Sequence, residues 1–233
     1  MSDTEPSPAE LAPIHGVGGV LEALLRRPRG VLHHLSGSAA SGLIGRLLFI
    51  AVVGAALYGI VVGTFSGGTQ LWAAPVKITV GLLICGVICL PSLYVFACLT
   101  GSVARFADVA GMVAGLLALM TLLLFSFAPV AWVFSQSTES VAAMGMMHLV
   151  FWLIATYFGA RFMYRGMARL GARSEGAFYF WMTIFVFVAL QMTTALRPLV
   201  GKADTFLPKE KMFFLQHWNE AFSKSATPDQ KAD

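Results

Sequence analysis

Five apolar runs, at 47–65, 78–99, 109–134, 146–164 and 177–195, occupy most of this chain. A helix of about 20 apolar residues crosses a hydrocarbon core of about 30 Å. Within that core each backbone N–H and C=O must bond inside its own segment, which helices achieve. The expected fold is therefore all-α: a polytopic membrane bundle of five transmembrane helices. Composition agrees, because only 12% of the 233 residues are charged, about half the usual share in soluble domains. Mean hydropathy is +0.74.

Charge sets the expected orientation. Arg161, Arg165, Arg169 and Arg173 recur at a four-residue spacing between the last two apolar runs. That spacing lines one flank of a helix leaving the membrane. Short segments rich in Lys and Arg stay in the cytoplasm. With the amino end inside, the cytoplasmic segments hold Arg26, Arg27, Arg29, Arg46, Arg105, Arg161, Arg165, Arg169 and Arg173. The opposite side holds Lys77, Arg197, Lys202, Lys209 and Lys211. Nine against five places the amino end in the cytoplasm and the carboxyl end outside, in a cell inner membrane. The arginines read first as anchors on anionic lipid headgroups, and second as a docking site for a protein partner or another copy of the chain. Nothing resembles a basic stripe interleaved with stacking aromatics, so nucleic acid is not an expected partner.

Around this membrane domain, 43–201, the chain divides simply. Residues 1–13 and 224–233 are polar and read as disordered tails. The lead-in, 14–42, places Val17, Val20, Leu21, Leu24 and Leu25 at helical spacing. Pro28 interrupts that pattern, and Val31, Leu32 and Leu35 resume it. With Arg26, Arg27 and Arg29 alongside, two short amphipathic helices lying on an anionic cytoplasmic surface are expected. Beyond the spans, 202–223 reads as an outer interfacial segment, with Phe214, Trp218 and Phe222 on one face and Trp218 as its anchor.

Small residues mark where spans should touch. Gly59, Gly63 and Gly67 repeat every fourth residue, as do Gly81, Cys85 and Cys89, and Gly111 with Gly115. Such spacing lets helix backbones approach closely. Pro91 should kink the second span and free a carbonyl that a neighbour must satisfy. Cys85, Cys89 and Cys98 all lie in that run and imply no disulfide framework.

Catalytic constellations are not evident. No His–Glu–x–x–His helix, phosphate-cradling glycine loop or nucleophile elbow occurs, so no enzyme, metal or cofactor is expected. The adjacent His33 and His34 do not share a helix face. His148, the one histidine inside a span, reads as structural or interfacial, with a partner contact or a ligand as alternatives. Ser126 is expected to bond back to its own helix. Gln191 should face another helix, and Arg197 should snorkel outward or pair with Glu139. The apolar runs contain no acids, which argues against a proton-coupled transporter.

The lead-in string RRPRGVLHHL, five closely spaced spans and a short outer tail resemble the Yip-type membrane proteins. These are the Rab-interacting five-span proteins of eukaryotes and their bacterial relatives. The strings KITVGLLICGVICLPSLYVFACLTGS, ARFMYRGM and QMTTALRPLVG are similar to the bacterial branch, and the resemblance runs from about residue 19 to 201. It implies a non-enzymatic membrane scaffold that recruits partners, and it carries no set of functional residues with it. The alternatives are an accessory subunit of a larger secretion, respiratory or envelope complex, and a small-molecule or lipid transporter.

Overall fold

A computed structural model of the protein describes residues 13–37, 40–138, 140–171 and 175–195. They form α1 (Gly16–Arg26), α2 (Pro28–Leu35), α3 (Ala40–Ser66), α4 (Gln70–Leu99), α5 (Phe106–Ser137), α6 (Val141–Arg169) and α7 (Glu175–Ala195), with no strand among the described residues. Four stretches are long and apolar enough to cross a membrane: Ala40–Phe65, Gln70–Leu99, Phe106–Ser137 and Ala143–Arg169. The fifth expected span is represented by the shorter apolar stretch Gly176–Met192 of α7. Four of the five expected spans are thus present as candidate spans among the described residues.

The centre of the bundle is α5. Every residue from Gly111 to Thr121 is buried, so this part of the helix is covered on all sides. Around it, α3 and α4 make an antiparallel hairpin whose contact depends on glycine. A Cβ at Gly63 would stand 2.7 Å from the Gln70 carbonyl oxygen, and one at Gly59 would strike the Pro75 backbone. Gly115 meets the Phe162 ring of α6, and Gly159 of α6 meets Leu116 of α5. Gly59, Gly63, Gly111 and Gly115 thus lie at helix contacts. Gly67 belongs to the turn between α3 and α4, where its φ of +65° favours glycine.

That turn is shorter than the sequence suggested, because α4 starts at Gln70 and carries Pro75 within it. Pro75 is the sixth residue of α4, and the helix runs on through it with the Leu71 carbonyl deprived of its usual backbone donor. Farther along α4, Gly81, Cys85 and Cys89 are buried as expected, and the latter two face α7. Trp181, fully buried on α7, donates its indole N–H to the Cys89 carbonyl at 3.1 Å and lies 3.1 Å from the Ser92 hydroxyl. This donor goes to the Cys89 carbonyl and not to that of Val87, the carbonyl whose helical partner Pro91 removes.

The lead-in differs from expectation. α1 and α2 occupy it, but Val20, Leu24, Val31 and Leu35 are buried in the same core as the long helices. These residues are covered by protein, whereas Val17 and Leu25 of the same pattern are exposed. Leu35 fits because Gly111 has no side chain: a Cβ there would come within 2.7 Å of Leu35 Cδ2. The arginine segment is helical as read. The fourth apolar helix does not stop near Tyr164 but continues to Arg169.

Candidate functional site

The basic residues converge where α1 and α2 meet the ends of the longer helices. Gly166 of α6 is central, since a Cβ there would crowd Met112 of α5 and Leu32 of α2. Its bareness lets α2 seat against α6. Arg169 then donates from Nη1 to the Arg29 carbonyl at 3.3 Å, tying the two helices together. Arg46 of α3 reaches the Ile14 carbonyl at 3.4 Å. Ser102, between α4 and α5, donates to the Leu170 carbonyl at 2.7 Å.

Arg105 completes this end. Its backbone N–H donates to Asp108 Oδ2 at 2.9 Å, which satisfies a donor at the start of α5. Its guanidinium makes two further bonds to the same carboxylate and one to the Ser36 carbonyl. The Asp108 carboxylate holds the Arg105 guanidinium above its ordinary pKa.

Arg161 and Arg169 are exposed and Arg165 is half-buried, all on α6, so the predicted flank of a helix exists. Arg29 of α2 is exposed beside them. The sequence did not bring Arg29 to Arg165; only the seating of α2 does so. Arg173, Arg197 and Trp218 lie outside the described residues, as does the proposed outer segment. Gln191 is half-buried on α7. Ser126 bonds back to the Leu122 carbonyl at 2.9 Å, as expected.

The second polar feature lies inside the bundle. Tyr58 of α3 and His148 of α6 share a hydrogen bond of 2.6 Å between Oη and Nδ1. The His148 Nε2 is buried with no partner among the described residues. Sequence reasoning singled out His148 but missed Tyr58. The available signal was a tyrosine hydroxyl within an apolar run, a group that needs a partner when buried. Among the described residues no group of three or more His, Cys, Asp or Glu side chains is arranged to hold a metal ion.

Comparison with family models, with curated proteins and with solved structures finds no match to this chain.

Proposed function

We propose that the protein is a five-span integral membrane scaffold of Yip-like type, with α7 as its last span, the amino end in the cytoplasm and the carboxyl end outside. Its role is to recruit a protein partner to the inner membrane through the surface made by α1, α2 and the arginine-bearing end of α6. One observation carries this reading: α1 and α2 are docked on the bundle, so Arg29 stands on a surface shared with Arg161, Arg165 and Arg169. A preformed surface loses less conformational freedom on binding than a mobile basic tail would.

Two measurements test it. Ser36→Cys and Ser137→Cys, both exposed positions, are labelled with an impermeant thiol reagent in a chain whose native cysteines are replaced. Intact cells should label Ser137→Cys only; labelling of Ser36→Cys would overturn the orientation. Site-specific photocrosslinking from Arg26 and from Trp132, at opposite ends of the bundle, then tests recruitment. A discrete protein adduct from position 26 alone supports the role, and its absence in native membranes refutes it.

A further inference from the structure

Most charges at this end have local assignments, but one group does not. Arg26 pairs with Glu22 and Arg105 with Asp108, the ion pairs found among the described residues. Arg29, Arg161, Arg165 and Arg169 have no carboxylate within ion-pair distance among the described residues. Arg165 lies within electrostatic reach of both Arg161 and Arg29. Arg169 uses one N–H on the Arg29 carbonyl, which leaves about four of its five donors. Like charges crowded at the edge of an apolar bundle repel one another unless an anion joins them.

The approach to these arginines is apolar. Val150, Ile154, Tyr157 and Phe158 are exposed on α6. At 3.6 residues per turn they share a face with Arg161 and Arg165. This stripe belongs to a stretch long and apolar enough to span a membrane, so hydrocarbon chains would lie along it. The guanidiniums stand where the stripe ends. An amphiphile matches both parts, whereas a soluble phosphate or an acidic peptide matches only one.

We propose that Arg29, Arg161, Arg165 and Arg169 form a binding site for the headgroup of an anionic phospholipid bearing two phosphates, its acyl chains lying along the exposed face of α6. Two phosphates suit the spread of the four guanidiniums. Arg161 and Arg169 are about 12 Å apart along the helix axis, so two anions let each pair of forks bond without the side chains converging on one point. Guanidinium forks match phosphate oxygens two at a time, and Arg29 closes the site from a second helix. The site depends on the chain being embedded in a bilayer but not on its recruiting any protein, so the lipid test below and the crosslinking test above fail separately.

The full chain is placed in phosphatidylcholine nanodiscs containing either diphosphatidylglycerol or, at equal lipid charge, phosphatidylglycerol. It is then released and weighed intact. Diphosphatidylglycerol should stay bound at one per chain, and phosphatidylglycerol should be lost. Arg161→Gln with Arg165→Gln should lower the affinity behind that occupancy about thirtyfold, as removal of two basic contacts to anionic lipid implies. Arg29→Gln should lower it as well, and it leaves intact the backbone carbonyl that Arg169 uses. Arg26→Gln should leave it unchanged. Equal retention of the two lipids, or equal loss in Arg26→Gln, overturns the two-phosphate site. Displacement by inorganic pyrophosphate equimolar with the lipid overturns the lipid assignment in favour of a soluble phosphate compound.

Discussion

Tyr58 and His148 join α3 to α6 through a single 2.6 Å hydrogen bond, alongside the central α5 that both helices pack against. Tyr58 is only 5% exposed, so neither group can exchange the bond for water without the helices parting. Tyr58→Phe leaves the His148 Nδ1 unsatisfied and should destabilise the bundle by about 1–3 kcal/mol. Removing both groups, as Tyr58→Phe with His148→Phe, should cost clearly less than the sum of the single changes. A double-mutant cycle from denaturant melts in mild detergent measures this. Additive losses would show that the bond contributes nothing.

The α3–α4 contact makes a sharper steric prediction. Gly59→Ala puts a Cβ onto the backbone of Pro75 and Ala74, which no side-chain rotation relieves. The cost should be about 1–3 kcal/mol, as for other overpacked sites. Gly45→Ala, in the same helix with nothing within 4 Å of the new carbon, should be neutral or gain up to about 1 kcal/mol from helix propensity. Equal melting temperatures for the two variants would mean that α3 and α4 are not in close contact at Gly59.

Trp181 separates packing from hydrogen bonding. Trp181→Phe keeps a large ring in a fully buried site but loses the indole donor to Cys89. The Cys89 carbonyl retains the Ser92 hydroxyl at 2.8 Å, so the loss should be about 1 kcal/mol. Trp181→Ala, by contrast, opens a cavity and should cost about 3–5 kcal/mol. Disulfide trapping between cysteines placed on α4 and α7 reports the same order, with slower trapping in Trp181→Ala only.

Asp108 secures the turn that precedes α5. Asp108→Asn removes the charge from three bonds to Arg105 and should weaken the helix start by about 1 kcal/mol. Hydrogen exchange should rise at residues 102–108 while the middle of α5 stays protected. Unchanged exchange there would show that the turn is held by the Ser102–Leu170 bond alone.

How much of this was legible beforehand follows from what apolar periodicity can report. The helical class follows from the backbone's need to satisfy its own polar groups in hydrocarbon, which requires no knowledge of neighbours. The gathering of Arg26, Arg46, Arg105 and Arg161 at one end follows from the regular reversal of successive spans. Gly59 and Gly63 were readable as contact points because only a missing side chain permits such close approach.

What the sequence could not say is which side of each span faces protein. In a soluble helix polar residues mark the outer face, but a membrane helix is apolar toward lipid and core alike. Val87 of α4 is 68% exposed and Cys89, two residues on, is 1% exposed, with no difference in polarity to announce it. Tertiary packing alone therefore placed α5 at the centre and brought Tyr58 to His148. It also turned the apolar face of α1 and α2 onto the bundle, where an amphipathic pattern fits protein and a lipid surface equally well. The meeting of Arg29 with Arg165 has the same origin: two exposed charges distant in sequence carry no signal of each other until Gly166 lets α2 come close.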